Sequence, residues 1–388
     1  MDQIAQAAAD DPRDRELVRD LRRVGTHPDY WYPLAWSRDL KPGRTLAARF
    51  AGDPIVLVRP KQGPVFALAD RCAHRQVPLS KGMVEGCSLR CGYHGWAYDM
   101  SGRCTDVPYL DKGKLPNGVR AYPCREVEGL ILVFPGDPAL SESVPLPALG
   151  SVADARYKTR RFGREVACHY SFMHENLMDM NHQFLHRRQM GKIRPRFLGQ
   201  GSGPDWVEAR YSFARTAGKQ PWAEAAIFGQ RRTGEEAHAE RDVMVIRTEY
   251  PYQTVRIRTD GDLPVMDLWI VHVPLDREQR QCRTFGLLSV KRLKVPGLLE
   301  AAWPLLVLFT ERIFKEDRDI VEAEQAAHDA QGGDWNQEVF PVIRKLRALL
   351  RQCGAADHAS SAQRVGLAGQ RPSDVGIQDF RLEERHCS

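Results

Sequence analysis

Two short segments of this chain each pair a thiol with an imidazole. The first reads Cys72-Ala73-His74 and, sixteen residues after it, the second reads Cys91-Gly92-Tyr93-His94. Two such loops at the tips of a rigid hairpin scaffold supply two thiolates to one iron and two imidazoles to the other iron of a [2Fe–2S] cluster. Imidazoles in place of two thiolates make the cluster less negative and raise its potential relative to a four-cysteine ferredoxin, which suits a single-electron relay. Zinc uses the same residue types, but zinc fingers favour a Cys pair followed by a His pair, whereas here each loop mixes the two.

A second constellation lies between Glu175 and His186, where Asn176, Asp179, His182 and His186 follow at steps of three, three and four. On a regular helix they share one face. Two His at i and i+4 form a bidentate platform for a divalent metal. A carboxylate from elsewhere completes the facial triad that leaves positions open for oxygen on Fe(II). Taken alone, the same residues read equally well as surface groups of an amphipathic helix.

The runs Cys72-Ala73-His74-Arg75, Pro78-Leu79-Ser80-x-Gly82 and Cys91-x-Tyr93-His94-Gly95-Trp96-x-Tyr98 resemble the Rieske domain of ring-hydroxylating and demethylating oxygenases. Rieske proteins of respiratory complexes carry extra Cys in both loops; neither His74 nor Cys91 has such a neighbour, and Cys87 and Cys104 read as structural thiols. The resemblance implies a [2Fe–2S] cluster on Cys72, His74, Cys91 and His94, and a mononuclear Fe(II) on His182, His186 and a carboxylate from a later helix. That carboxylate is assigned to Asp317, with Glu316 and Asp319 as fallbacks. The family more often has four residues between the two His; here there are three. Asp179 stands where the family has a carboxylate linking the two metal centres, so the resemblance implies a bridge to His94 of a neighbouring chain in a homotrimer. Asn176 then supports the site and His174 packs beside it. Size resembles the single-subunit oxygenases of the vanillate demethylase and phthalate type, which oxidise aromatic rings or O-methyl and N-methyl groups; whether as mono- or dioxygenase stays open.

No hydride-accepting site is legible: Gly199-x-Gly201-x-Gly203 lacks a preceding strand and a following helix, and no plant-type Cys spacing supplies a further cluster. A separate NAD(P)H-dependent reductase is implied, acting directly or through a ferredoxin. The basic run Arg187, Arg188, Lys192, Arg194 and Arg196 reads as a solvated face rather than a docking site for it. The alternative, a Rieske electron-transfer protein without oxygenase activity, needs only a β domain, and the long chain after residue 138 argues against it.

These residues need a scaffold, and the 388-residue chain has the composition for one, with 43% hydrophobic and 27% charged residues. The net charge of +6 is interleaved, so nucleic acid is not the expected partner. The longest apolar run, Ala301 to Phe309, contains Pro304 and is short of the roughly 18 residues of a membrane span. The N-terminal segment has no apolar core of a signal peptide, and a cytoplasmic location is expected. The expected fold class is α+β: an N-terminal all-β Rieske domain, then an antiparallel-sheet, helix-grip-like catalytic domain. The arm spans 1–27, the β domain 28–137, the catalytic domain 138–355 and a disordered tail 356–388, with Pro135 to Pro147 as the linker. Short β-branched runs (Ile55 to Val58, Val65 to Ala69, Leu130 to Phe134) mark the first domain. Longer strands mark the second: Trp206 to Arg215, Val243 to Arg258, Met266 to Pro274 and Arg283 to Val290. Helices are expected near 172–190, 298–330 and Gln337 to Arg351. The strands between 205 and 290 should wall a pocket for a hydrophobic or aromatic small molecule, where His272, Arg247 and Arg256 stand out no more than ordinary strand residues. Leu298 to Phe309 reads as a buried helix in preference to a lid.

Overall fold

The computed structural model describes residues 20–217, 220, 225, 243–258, 263–293 and 295–355. Most of the expected N-terminal arm and the tail from 356 lie outside them. The described chain forms two units, His27–Leu146 and residues 20–26 with Pro147–Ala355. The division falls within the Pro-rich segment, later than the expected start at 138.

The first unit is built from short antiparallel strands: β1 (Tyr32–Trp36), β2 (Arg44–Phe50), β3 (Asp53–Arg59), β4 (Phe66–Ala69), β5 (Met83–Glu85), β6 (Ser88–Arg90), β7 (Ala97–Tyr98), β8 (Cys104–Asp106), β9 (Ala121–Tyr122), β10 (Cys124–Val127) and β11 (Leu130–Val133). They make three sheets, in the orders β2-β3-β4-β9, β5-β6-β7-β8 and β1-β11-β10. Val56, Val58, Phe66 and Leu68 from the first sheet and Leu89 and Tyr98 from the second close one core around Cys72, Leu79 and Cys91. β3 from Ile55 to Val58 and β4 along its length are continuously apolar, and their even-numbered residues Val56, Val58, Phe66 and Leu68 form the floor under both Cys-His loops.

In the second unit β12 (Tyr157–Phe162), β13 (Glu165–Val166), β14 (Lys192–Ser202), β15 (Trp206–Ala217), β16 (Val243–Glu249), β17 (Tyr252–Arg258), β18 (Met266–Pro274) and β19 (Cys282–Lys291) form one antiparallel sheet. From its β12 edge the order is β12-β19-β18-β17-β16-β15-β14, with β13 also on β19. The expected strand Val243 to Arg258 is two, turning at Tyr250-Pro251. β14 was not anticipated, because Pro195, Gly199 and Gly201 break its strand signal; a register shift between Phe197 and Gly199 accommodates them. β18 is buried on both faces from Asp267 onward, as its near-continuous apolar run requires.

Helices α1 (Tyr170–Met178), α2 (Arg187–Met190), α3 (Leu298–Gln331) and α4 (Pro341–Cys353) belong to this unit, and α1 packs on β16 and β18. Ser171 N donates to the His169 ring, which caps α1. Gly297 and Gly332, both left-handed, bound α3. Its first three turns correct the expectation of a buried helix: Leu299 and Leu306 are buried, but Leu298, Leu305 and Leu308 stand about half exposed on the opposite side. Apart from Glu300 the run is apolar, and among the described residues only one side is covered. No helix is long and apolar enough to cross a membrane among the described residues.

Candidate active site and metal centres

Each Cys-His loop closes back on its own cysteine. Cys72 N donates to Val77 O at 2.9 Å and Gln76 N to Cys72 O at 2.9 Å; Cys91 N donates to Trp96 O at 2.8 Å and Gly95 N to Cys91 O at 3.2 Å. Gly95 sits at φ +74°, a conformation that glycine adopts without strain. Arg90 pins the second loop from below, reaching Gly95 O, Asp106 and Glu85. Both cysteines are buried, whereas His74 and His94 are exposed, their ring centroids 4.6 Å apart. His74 stacks on Trp96 at 4.8 Å. Tyr98 Oη lies 3.2 Å from Cys72 Sγ and accepts Ala73 N–H at 3.1 Å.

This donor set fits a two-iron cluster. Burial pushes the Cys91 thiol up, so its thiolate, the form that ligates iron, needs a cationic partner. A zinc site would gather its four donors around one point. Among the described residues, only His182, His186 and Asp317 form a group of three or more whose ligand atoms all lie within 4.8 Å of one another, so the four loop donors are not gathered that way. The described cysteines are all free, Cys87 and Cys104 included.

The triad is not built on one regular helix, contrary to expectation. α1 ends at Asp179, whose extended backbone (φ −93°, ψ 94°) breaks it, and whose carboxylate accepts from Asn181 N and Asn181 Nδ2, both at 2.8 Å. A 3-10 turn, Met180–Phe184, follows, and His186 stands at the N-cap position of α2 without a side-chain capping bond. A short polar side chain that accepts the backbone N–H two residues on competes with helix continuation, which is the physical reason for the break. The two rings converge nonetheless. His186 Nε2 lies 3.2 Å and His182 Nε2 3.8 Å from Asp317 Oδ1. His182 Nδ1 is taken up by Asp179 O and His186 Nδ1 by Glu316 at 2.8 Å, so both imidazoles turn Nε2 toward the carboxylate.

Asp317 Oδ1 is buried without a hydrogen-bond donor, a state that costs a carboxylate dearly unless a cation completes it. Burial holds His182 below its ordinary value. Burial also depresses His186, but Asp317 and Glu316 outweigh it and leave its value raised. Two imidazoles and one carboxylate with positions to spare are the donor set of a non-haem Fe(II) site. Of the other carboxylates considered, Glu316 orients His186, and Asp319 pairs with Lys315 and Arg318 outside the cluster.

Asp317 also lines a largely apolar cavity, with Phe162, Met173, Leu177, Ile270 and Phe314 among its walls and Asn176, His272 and Thr284 among its polar members. Phe162 stacks on Phe314, centroids 4.3 Å apart. Phe162 stands opposite Gly286 in the sheet, where any Cβ would come within 2.2 Å of its ring. Of the three strand residues weighed as polar contacts, only His272 faces this space. Arg247 lies over Trp206 and pairs with Glu208 and Glu249, and Arg256 pairs with Asp267. His174, buried beneath His272 with ring centroids 5.4 Å apart, is pushed down to about 3 by burial and stays neutral.

Residues 30–123 match the family described as the Rieske [2Fe-2S] domain, and residues 166–346 the vanillate O-demethylase oxygenase C-terminal domain. The 4beta-methylsterol monooxygenase of Methylococcus capsulatus is 32% identical over 360 residues, 90% of this chain and 94% of that protein. This chain belongs to the Rieske non-haem iron oxygenases. The dicamba O-demethylase oxygenase component of Stenotrophomonas maltophilia is 39% identical over 162 residues, 40% of this chain and 47% of the relative. Crystalline dicamba monooxygenase bound to dicamba shares the fold, with a TM-score of 0.66 at 23% identity over 88% of this chain and 99% of that one. As a Rieske oxygenase, the protein carries a [2Fe–2S] cluster and a mononuclear non-haem iron and is the oxygenase component of a system whose electrons come from a separate reductase. Activation of oxygen at the mononuclear iron is the chemistry these groups supply. An electron carrier without oxygenase activity is set aside by the second domain.

Proposed function

We propose that this oxygenase oxidises a methyl group carried by a hydrophobic ring compound, with His182, His186 and Asp317 holding the iron and Cys72, His74, Cys91 and His94 holding the cluster. The single observation that carries the iron assignment is the buried, donorless Asp317 Oδ1 facing two imidazole Nε2 atoms at the wall of an apolar cavity. The substrate class rests on the relatives: a 4beta-methylsterol monooxygenase along almost the whole chain, and dicamba and vanillate O-demethylases over parts of it. What their names share is a methyl group on a ring compound.

In this proposal residues 28–137 are the electron-receiving domain and 138–355 the catalytic one. Asp179 serves as the bridge, accepting a hydrogen bond from His94 of a neighbouring chain in a cyclic homotrimer, with one carboxylate oxygen already held by Asn181. Electrons reach the cluster from an NAD(P)H-dependent reductase, directly or by a ferredoxin, in the cytoplasm. The cavity walls exclude water and set orientation, while Asn176 and His272 offer the polar contacts.

Iron and acid-labile sulfide analysis of anaerobically purified protein tests the assignment. The parent should hold three irons and two sulfides per chain. His182→Ala should hold two irons with an unchanged cluster resonance. Two irons in the parent, unaltered by Fe(II) reconstitution or by the mutation, would refute the triad. Formaldehyde released from methoxyarenes, against hydroxymethyl product from methylated rings, decides between O-demethylation and C-hydroxylation.

A further inference from the structure

Among the residues lining the apolar cavity, His272 carries a polar atom that the metal triad does not use. His272 lies on β18, 2% exposed, and its Nδ1 is engaged by Thr284 Oγ1 at 3.0 Å across the β18–β19 pair. Its Nε2 is buried with no hydrogen-bond partner. Buried polar atoms are nearly always satisfied, and one that is not, lining a cavity, marks a place where a ligand completes the bonding. Thr284 and Asp317 line the same cavity.

We infer that His272 Nε2 anchors a neutral hydroxyl group of the substrate, setting which carbon is presented to the iron and discriminating against molecules that lack that hydroxyl. The inference rests on the triad assignment above, since that is what makes this cavity the substrate pocket.

A hydroxyl suits the anchor for two reasons. If Thr284 donates to Nδ1, Nε2 carries the proton and donates; if Nδ1 donates to Thr284, Nε2 accepts. A hydroxyl meets either tautomer, whereas a carbonyl or ether oxygen meets only one. The imidazole is also uncharged: burial, and then the neighbouring His174, drive His272 well below its ordinary value. A carboxylate would want a cation instead. Arg164, which lines the same cavity, is engaged with Glu311 at 2.7 Å, which leaves Arg318 as the lining cation with an unpaired, buried Nε. Anionic ligands therefore provide the competing outcome.

Calorimetric titration of the iron-loaded protein with three probes, 4-methoxyphenol, 4-methoxytoluene and 4-methoxybenzoate, tests the anchor. The parent should bind the phenol about tenfold more tightly than the toluene, the cost of leaving a buried polar atom unpaired beside a methyl group. His272→Phe, close in size and without a ring nitrogen, should bring that ratio to about one by weakening the phenol alone. His272→Gln, which keeps a hydrogen-bonding tip, should retain part of the preference and guards against misfolding in the Phe variant. A parent ratio near one, an unaltered ratio in folded His272→Phe, tightest binding of the benzoate, or failure of all three to bind would each overturn the anchor. Iron content measured on the same samples separates the two readings: full iron with no phenol preference refutes the anchor alone, and a preference kept by protein without triad iron refutes the triad.

Discussion

Glu316 shows how much a neighbouring residue decides at a metal site. Its carboxylate fixes the tautomer of His186, so that Nε2 keeps its lone pair toward Asp317. Removing such an oriented partner typically costs a metal site 10–100-fold in affinity. Glu316→Ala should therefore weaken Fe(II) binding by roughly that factor in a chelator competition, with the cluster resonance unaltered. An unchanged Fe(II) affinity would show that packing alone holds the imidazole. The Cys-His loops were legible in the sequence because ligation of this kind is written in local spacing. The identity of the carboxylate was not: Glu316, Asp317 and Asp319 share one helix within a single turn, and only β18, β19 and the His-bearing segment decide which of them meets the imidazoles. His272 was likewise indistinguishable from Arg247 and Arg256 until the sheet showed which one faces the cavity.

Among the elements, α1 is held from below by a buried charge network. Arg22 donates to Glu175 at 3.0 and 3.2 Å, Arg347 of α4 lies 3.5 Å from the same carboxylate, and Arg347 also pairs with Asp334. Arg22 further lies over the Phe172 ring. The side chains of both arginines are at least nine-tenths buried, so removal of Glu175 leaves two poorly solvated cations sharing less negative charge. Glu175→Ala should cost about 3–5 kcal/mol in denaturant unfolding, the penalty of breaking a buried pair from one side. A loss within about 0.5 kcal/mol, the range of an ordinary surface change, would mean water reaches the network. Most strands and the long helix were legible from periodicity. The break at Asp179 and strand β14 were not, since a single cap and a single bulge override the propensities around them. The exposed side of α3 was not either, because apolar composition says that a segment is greasy, not which neighbours it has.

On the scale of the whole molecule, two redox centres in separate units require an electron path, and the proposed path runs between chains through Asp179. Asp179→Asn keeps the size of the side chain and its contact with Asn181 but removes the charge. Turnover with reductase should fall roughly 10–100-fold, while iron content, cluster content and a trimeric sedimentation coefficient stay as in the parent. Full turnover in a monomer would dismiss the inter-chain path. Nothing in one chain's sequence states such a path directly, because symmetry contacts leave no local spacing pattern; the resemblance alone points to it.

The stacked pair Phe162 and Phe314 forms one wall of the cavity, and Gly286 leaves room for the Phe162 ring. Neither ring contributes a ligand atom to the triad. Catalytic machinery and cavity volume are therefore separately adjustable: exchanging either ring for a smaller side chain widens the chamber while His182, His186 and Asp317 stay as they are. A lineage, or an engineer, could move this scaffold from one ring skeleton to another through two positions, with the oxygen chemistry inherited unchanged.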